Sequence, residues 1–177
     1  MKDRALLLAE SDLSEEWDSK ADWPALAQRC VAAAFGESDY AAAAQSSVPV
    51  EISVRFSSDA EVRTLNRDYR GKDKATNVLS FPMADPDLIA TAADGDEIEI
   101  LLGDIILAHG VCAAEAAERG IAVETHAAHL LVHGTLHLLG YDHETGADEA
   151  EAMEEIERRA LASLGIADPY SLPQLQD

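Results

Sequence analysis

The stretch HGTLHLLGYDH, from His133 to His143, constrains this chain more than any other. On a helix, His133 and His137 leave the same face about one turn apart. Two imidazoles so placed can close on one ion at about 2.0–2.1 Å each. Gly140 ends such a helix, because a left-handed residue lets the chain reverse. The turn Tyr141-Asp142 can then return His143 to the same ion. Three imidazole nitrogens leave one coordination position open, as in a catalytic site, whereas a structural site normally takes four protein ligands. The expectation is one metal ion per chain, zinc first, with other divalent transition metals such as nickel and copper suiting the same ligands.

Rival ligands exist, because all six histidines lie between positions 109 and 143. His129 and His137 stand about 12 Å apart along a helix axis, too far to share an ion with His133 between them. The set His129, His133 and His143 remains open but is less natural, because His143 folds back beside His137. His129 and His126 are therefore expected to line the pocket or support the ligands. His109 and His126 also fit partly exposed helix or loop positions.

The layout H-x-x-x-H-x-x-G-x-x-H is shared with a large class of zinc proteases, which carry Glu directly after the first histidine as general base. Here that position is Gly134, which cannot take a proton. A metallopeptidase with a base supplied from elsewhere is one rival to another hydrolase chemistry. A non-catalytic, zinc-stapled assembly factor is the second.

The rest of the chain reads as α+β, a small mixed sheet packed with several helices in one domain spanning 1–177. Residues 5–9 could form a short strand. Asp22 can cap a helix from about Trp23 to Phe35, with Pro24 in its first turn and Gly36 ending it. Val50, Ile52, Val54 and Phe56 alternate with polar residues, the period of a half-buried strand. Ser58 and Glu61 form a capping box for a helix that Gly71 ends. A strand over 77–81 stops at Pro82, and the turn-rich stretch 83–97 is assigned nothing. A long buried strand over 98–107 is interrupted by Gly103-Asp104, and a helix after it stops at Gly120. The histidine helix covers about 124–139, and a last helix runs from near Thr145, with Asp148 as box partner, to Gly165.

Two distant cysteines, Cys30 and Cys112, suggest a reducing compartment rather than a disulfide framework. No segment nears the roughly 18 apolar residues of a membrane span. The expectation is a cytoplasmic protein with no membrane partner. The formal charge of −21 taken alone argues against nucleic acid. It is unevenly spread, however: Arg55 to Lys74 holds six basic residues against four acidic, and Asp142 to Glu157 holds eight acidic residues and no Lys or Arg. The acidic run reads as a solvated face, or else as a surface for a basic partner protein.

The basic segment contains YRGKDKATNVLSFP, in which Arg70 and Lys72 are candidates for binding phosphate or RNA. Together with LLGDI and HGTLHLLGYDH, and with ADPY near the C-terminus, it closely resembles the YbeY family of bacterial rRNA maturation proteins over about residues 50–170. The resemblance implies a metal-dependent, single-strand-specific endoribonuclease. Its role would be maturation of small-subunit (16S) rRNA and ribosome quality control, with rRNA and the small ribosomal subunit as partners. It places the three-histidine site on His133, His137 and His143, and the functionally important arginine on Arg70. No general base stands out; Asp104, His129 and Asp142 are candidates for supporting the ligands or handling protons.

Overall fold

Val50, Ile52, Val54 and Phe56 all turn to one side of strand β2 (Val50–Ser57), and all four are buried. The computed structural model describes residues 7–17, 21–41, 49–88, 99–142 and 146–171. Among these, β2 is central to a four-stranded sheet with β1 (Leu7–Leu13), β3 (Val78–Pro82) and β4 (Ile100–Ala108), in the order β1-β2-β4-β3. β1 and β4 run parallel to β2, while β3 is antiparallel to β4. The strand expected over 5–9 extends to Leu13, because a full parallel register from Leu7↔Val50 to Leu13↔Phe56 supports its polar half.

Parallel neighbours need crossovers, and helices supply them. α1 (Trp23–Glu37) links β1 to β2, its first turn capped by Asp22, which accepts from the Ala25 amide at 3.1 Å. It passes the expected stop at Gly36 and closes at Ser38, whose hydroxyl donates to the Phe35 carbonyl at 2.8 Å. α2 (Asp59–Arg70) starts on Ser58, which accepts from the Glu61 amide, and ends at Gly71 with φ 72°. α3 (His109–Arg119) and α4 (Val123–Leu138) follow β4, and α5 (Ala147–Ser163) comes last. α5 begins with no side-chain cap, Asp148 and Glu149 instead facing the positive end of its dipole. The expected cap Thr145 lies outside the described residues, as does most of the 83–97 stretch.

α1, α4 and α5 cover one face of the sheet around Ile52, Phe56, Leu102, Ile105 and Leu107. α2 covers the other through a smaller cluster of Val62, Leu79, Ile106 and Ala108. At Gly103 the β2–β4 register slips by one residue, and an added Cβ would meet the Phe81 carbonyl oxygen at 2.5 Å. Beyond that bulge, Ile105 faces α4 while Asp104 and Ile106 face the α2 side. No helix among the described residues is long and apolar enough to cross a membrane.

Candidate metal centre

α4 is buried along most of its length by Leu130, Leu131, Val132, Leu136 and Leu138, which fixes the direction of its histidine stripe. Gly134 lets the helix lie against the sheet: an added Cβ there would stand 3.1 Å from both Ile105 and Ser80. A side chain at this position would press on Ile105 and Ser80, which would have to give by a few tenths of an ångström, so glycine suits the close approach of α4 to β3 and β4.

His133 and His137 open into a cleft of about 580 Å³ between α4, β3 and the end of α2. Their Nε2 atoms stand 3.0 Å apart. The His137 Nδ1 is 3.0 Å from the Tyr141 carbonyl oxygen, which can only accept, so Nδ1 carries the hydrogen and Nε2 keeps its lone pair. The His133 Nδ1 is 2.5 Å from Oε2 of Glu157. Burial pushes the Glu157 carboxyl up, but hydrogen bonds with His129 and His133 outweigh it and hold the group well below the usual carboxylate range. An ionised carboxylate also only accepts, so His133 likewise turns its Nε2 lone pair to the cleft. Two lone pairs facing each other at this distance repel unless a cation or a proton offsets them. Two nitrogens on one tetrahedral zinc would stand roughly 3.4 Å apart. The donor set therefore fits a shared metal ion.

Behind the two imidazoles lies a hydrogen-bonded network. Glu157 is fully buried on α5, and its Oε1 accepts from the Tyr170 hydroxyl. Burial and the Glu157 charge raise the Tyr170 phenol well above its ordinary value, so it stays protonated and donates. His129 Nε2 lies 3.5 Å from the same Oε1, and burial lowers His129 despite that carboxylate. The donor atoms of His129, His133 and Glu157 all lie within 4.8 Å of one another, so this group too could hold a metal ion. The 2.5 Å contact between His133 and Glu157 is shorter than two ligands of one ion would keep, and is that of a hydrogen bond.

Across the cleft, Arg70 ends α2 and lines the same space as His133 and His137. Its neighbours are engaged: Arg55 with Glu61, Arg63 with Asp73 and Arg67 with Asp68. Arg70 has no carboxylate partner among the described residues. The loop beside it is pinned by buried Asn66, which donates to the Lys74 carbonyl at 2.8 Å and accepts through its own carbonyl from Lys72 at 3.2 Å.

The family described as Endoribonuclease YbeY matches residues 12–165 of this chain. The chain belongs to the YbeY family. The Endoribonuclease YbeY of Sphingopyxis alaskensis is 52% identical over 166 residues, covering 94% of this chain and 98% of that protein. That of Rhizorhabdus wittichii is 55% identical over 159 residues, covering 90% and 94%. The solution structure of the target protein VT1 (TM1509) from Thermotoga maritima has a TM-score of 0.52 at 21% identity, over 92% of this chain and 98% of that one. It shares the fold of the YbeY chain described here.

Set against the sequence expectations, the structure brings His133, His137, Arg70 and Asp142 to one cleft. His143 lies outside the described residues. His129 stands behind His133, against Glu157. Asp104 is not brought to the site: past the bulge it faces the α2 side, where it lines a separate cavity with Tyr69 and Phe81. Lys72 sits on the exposed turn after Gly71 and is not among the residues lining the cleft. His126 is buried rather than partly exposed, with its Nε2 2.8 Å from Glu115.

Two residues escaped the sequence reading. Glu157 belongs to the acidic run expected to be solvated, and Tyr170 was only part of a motif. The signal for Glu157 was present, since it falls four residues after Met153 and four before Leu161, on the buried face of α5.

Proposed function

We propose that this chain is a metal-dependent endoribonuclease cutting single-stranded RNA in maturation of the small-subunit (16S) rRNA and in ribosome quality control. Membership of the YbeY family supports the nuclease activity, and one observation carries the mechanism. The cleft joins two oriented imidazoles to an arginine left without a carboxylate partner among the described residues. His133 and His137 would hold zinc, with His143 as the third ligand from the neighbouring segment. Bound zinc supplies a Lewis acid for phosphoryl oxygen and a water acidified toward a pKa of about 7.

The chain's own residues do the remaining work. Arg70 binds the scissile phosphate, its planar fork matching two phosphoryl oxygens and stabilising the charge that develops there. Glu157 and the Tyr141 carbonyl hold the two Nδ1–H groups, keeping both Nε2 lone pairs turned to the cleft. The carboxylate of Asp142, which lines the cleft, accepts the proton given up by the attacking hydroxyl, while His129 and Tyr170 hold Glu157 in place. The acting compartment is the cytoplasm, the partners are rRNA and the small ribosomal subunit, and the acidic face of α5 suits a basic ribosomal protein.

The test is cleavage of a single-stranded rRNA fragment by wild type, Arg70→Ala and His133→Ala, each checked for folding. Loss of cleavage in both folded variants is expected. Unchanged cleavage in both would overturn the reading and point to a contaminating nuclease. A 2′,3′-cyclic phosphate on the product would assign the attack to the ribose hydroxyl rather than to water.

A further inference from the structure

Beside the cleft lies a smaller cavity of about 130 Å³, where the end of α3 meets the start of α4 and the turn at Tyr170. Asn77 and His133 line both spaces, so the two share a wall. A water's share of liquid volume is about 30 Å³, so the cavity exceeds a single water several times over.

Its polar groups are incompletely satisfied. Nε and Nη1 of Arg119, Nδ1 of His126 and Nδ1 of His129 are each buried and have no hydrogen-bond partner among the described residues. His126 is only 2% exposed. Sealed, unpaired polar atoms are costly, and such atoms in a native fold call for an occupant. What kind of occupant follows from the wall chemistry. The Arg119 nitrogens can only donate. Oε1 of Glu115 accepts from Nδ2 of Asn77 at 3.0 Å and faces Nε2 of His126 at 2.8 Å. In the tautomer that commits an Nε2 hydrogen to that carboxylate, His126 presents Nδ1 as an acceptor.

The cavity therefore offers both donors and an acceptor, and the charges of Arg119 and Glu115 offset each other. A phosphate would need an excess of positive charge, which this wall does not provide. A neutral heterocycle with donor and acceptor edges matches it. The rings of His129 and Tyr170, 5.6 Å apart and edge-on, add an aromatic corner.

We propose that this cavity receives one nucleobase of the RNA strand, turned out from a nucleotide next to the scissile phosphate held by Arg70. The proposal rests on the endoribonuclease reading and deepens it. An unpaired base leaves its stack for such a pocket at less cost than a paired one, so the cavity would favour single strands without reading a long sequence.

The test is an abasic scan. A short single-stranded RNA with one preferred cut, and copies of it with an abasic site at each position in turn, are given to zinc-loaded wild type, Arg119→Ala, Arg119→Lys and Arg70→Ala. All variants are checked by circular dichroism. In wild type, one abasic position beside the cut should lower kcat/KM by about tenfold or more, mainly through KM, with small effects elsewhere. Arg119→Ala should lose about as much on the intact strand and become indifferent to that abasic site. Arg119→Lys, which keeps the charge but not the planar fork, should show an intermediate loss and carries the test if Arg119→Ala does not fold. Uniform tolerance of abasic sites in wild type, or an undiminished abasic penalty in the Arg119 variants, would overturn the pocket. If wild type does not cut the intact strand, or Arg70→Ala cuts as fast, the endoribonuclease reading fails instead. Where nothing is cut, the same scan is read as dissociation constants of the uncleaved strands on the same holoenzyme, and still decides the pocket.

Discussion

The two walls of the cleft hold their polar groups in opposite ways. On the α4 wall the relevant atoms are fixed by hydrogen-bonded neighbours: the buried Glu157 and the half-buried Tyr141 carbonyl set the tautomers of His133 and His137, and Tyr170 sets Glu157. On the α2 wall the exposed Arg70 side chain is placed only by its backbone, through the Gly71 stop and the loop that Asn66 pins. Under the proposed function, the difference follows from what each wall would bind. Metal ligation tolerates only a few tenths of an ångström and one tautomer, which burial and hydrogen bonds can enforce. Phosphate binding needs a cation still uncommitted when substrate arrives, which an ion pair on the protein would defeat. Arg55, Arg63 and Arg67, each against a carboxylate, show the committed alternative on the same surface.

The largest effect should come from breaking the rigid wall. Under the proposed function, His133→Ala removes a metal ligand, and it strands the buried charge of Glu157. Elemental analysis should show zinc lost, by more than the roughly 10–100-fold in affinity that follows loss of a supporting partner. Cleavage should vanish with it, and the melting temperature should fall. Full zinc occupancy in that variant would mean that α4 is not the metal wall. Next in size is Arg70→Ala, for which the rate should drop on the order of 10²–10³-fold, as when a transition-state donor is lost. Zinc content and melting temperature should stay as in wild type, and Arg70→Lys should recover part of the rate. If Arg70→Ala also sheds zinc, the two walls are coupled and the comparison fails.

Glu157→Gln sharpens the contrast by keeping shape and removing charge. A neutral amide orients His133 less firmly, so zinc affinity should fall about 10–100-fold in competition with a chromophoric chelator. An unchanged affinity would reduce Glu157 to a packing residue. The same carboxylate makes a pH prediction for the metal-free protein. Its folded pKa lies below the ordinary value of 4.5, so its contribution to stability is complete above about pH 4.5. That contribution should erode as acid carries the pH down toward the depressed folded value. In thermal melts from pH 7 to pH 3 the gap between wild type and Glu157→Gln should therefore narrow toward the acid end; parallel curves throughout would refute the assignment.

Local grammar in the sequence reached far into this fold but stopped at the contacts between distant elements. Alternation found β2, the Asp22 and Ser58 caps started α1 and α2, and the spacing of His133 and His137 placed two imidazoles in one cleft. What failed did so because packing decides it. Asp104 was expected near the histidines, but the bulge beside Gly103 sets which sheet face follows, and it turned that carboxylate toward α2. Glu157 was hidden among eight acidic residues, seven of which gave no hint that one belonged to the core. Its apolar neighbours Met153, Ile156, Ala160 and Leu161 mark the buried stripe, and a carboxylate within such a stripe should be read as having a buried partner. His126 shows the same rule, since burial was affordable only because Glu115 meets it.

The smallest expected effect tests whether an uncommitted cation, rather than the basic patch as a whole, matters on the α2 wall. Arg67 lies one turn before Arg70 on the same helix, and its Nε stands 3.1 Å from Asp68, with both side chains about half exposed. An exposed pair of this kind contributes little, so Arg67→Ala should move the melting midpoint by no more than about 2 °C. Cleavage should also stay close to wild type, because the Asp68 carboxylate already cancels most of what Arg67 could offer a phosphate. Removing that carboxylate by Asp68→Asn should raise RNA affinity slightly at low salt, and the gain should fade as salt screens charges beyond about 8–10 Å. If Arg67→Ala instead slows cleavage as much as Arg70→Ala, the patch acts as a diffuse positive field. Arg70 would then be one charge among several, and the contrast between a rigid wall and an arginine with no carboxylate partner among the described residues would not hold.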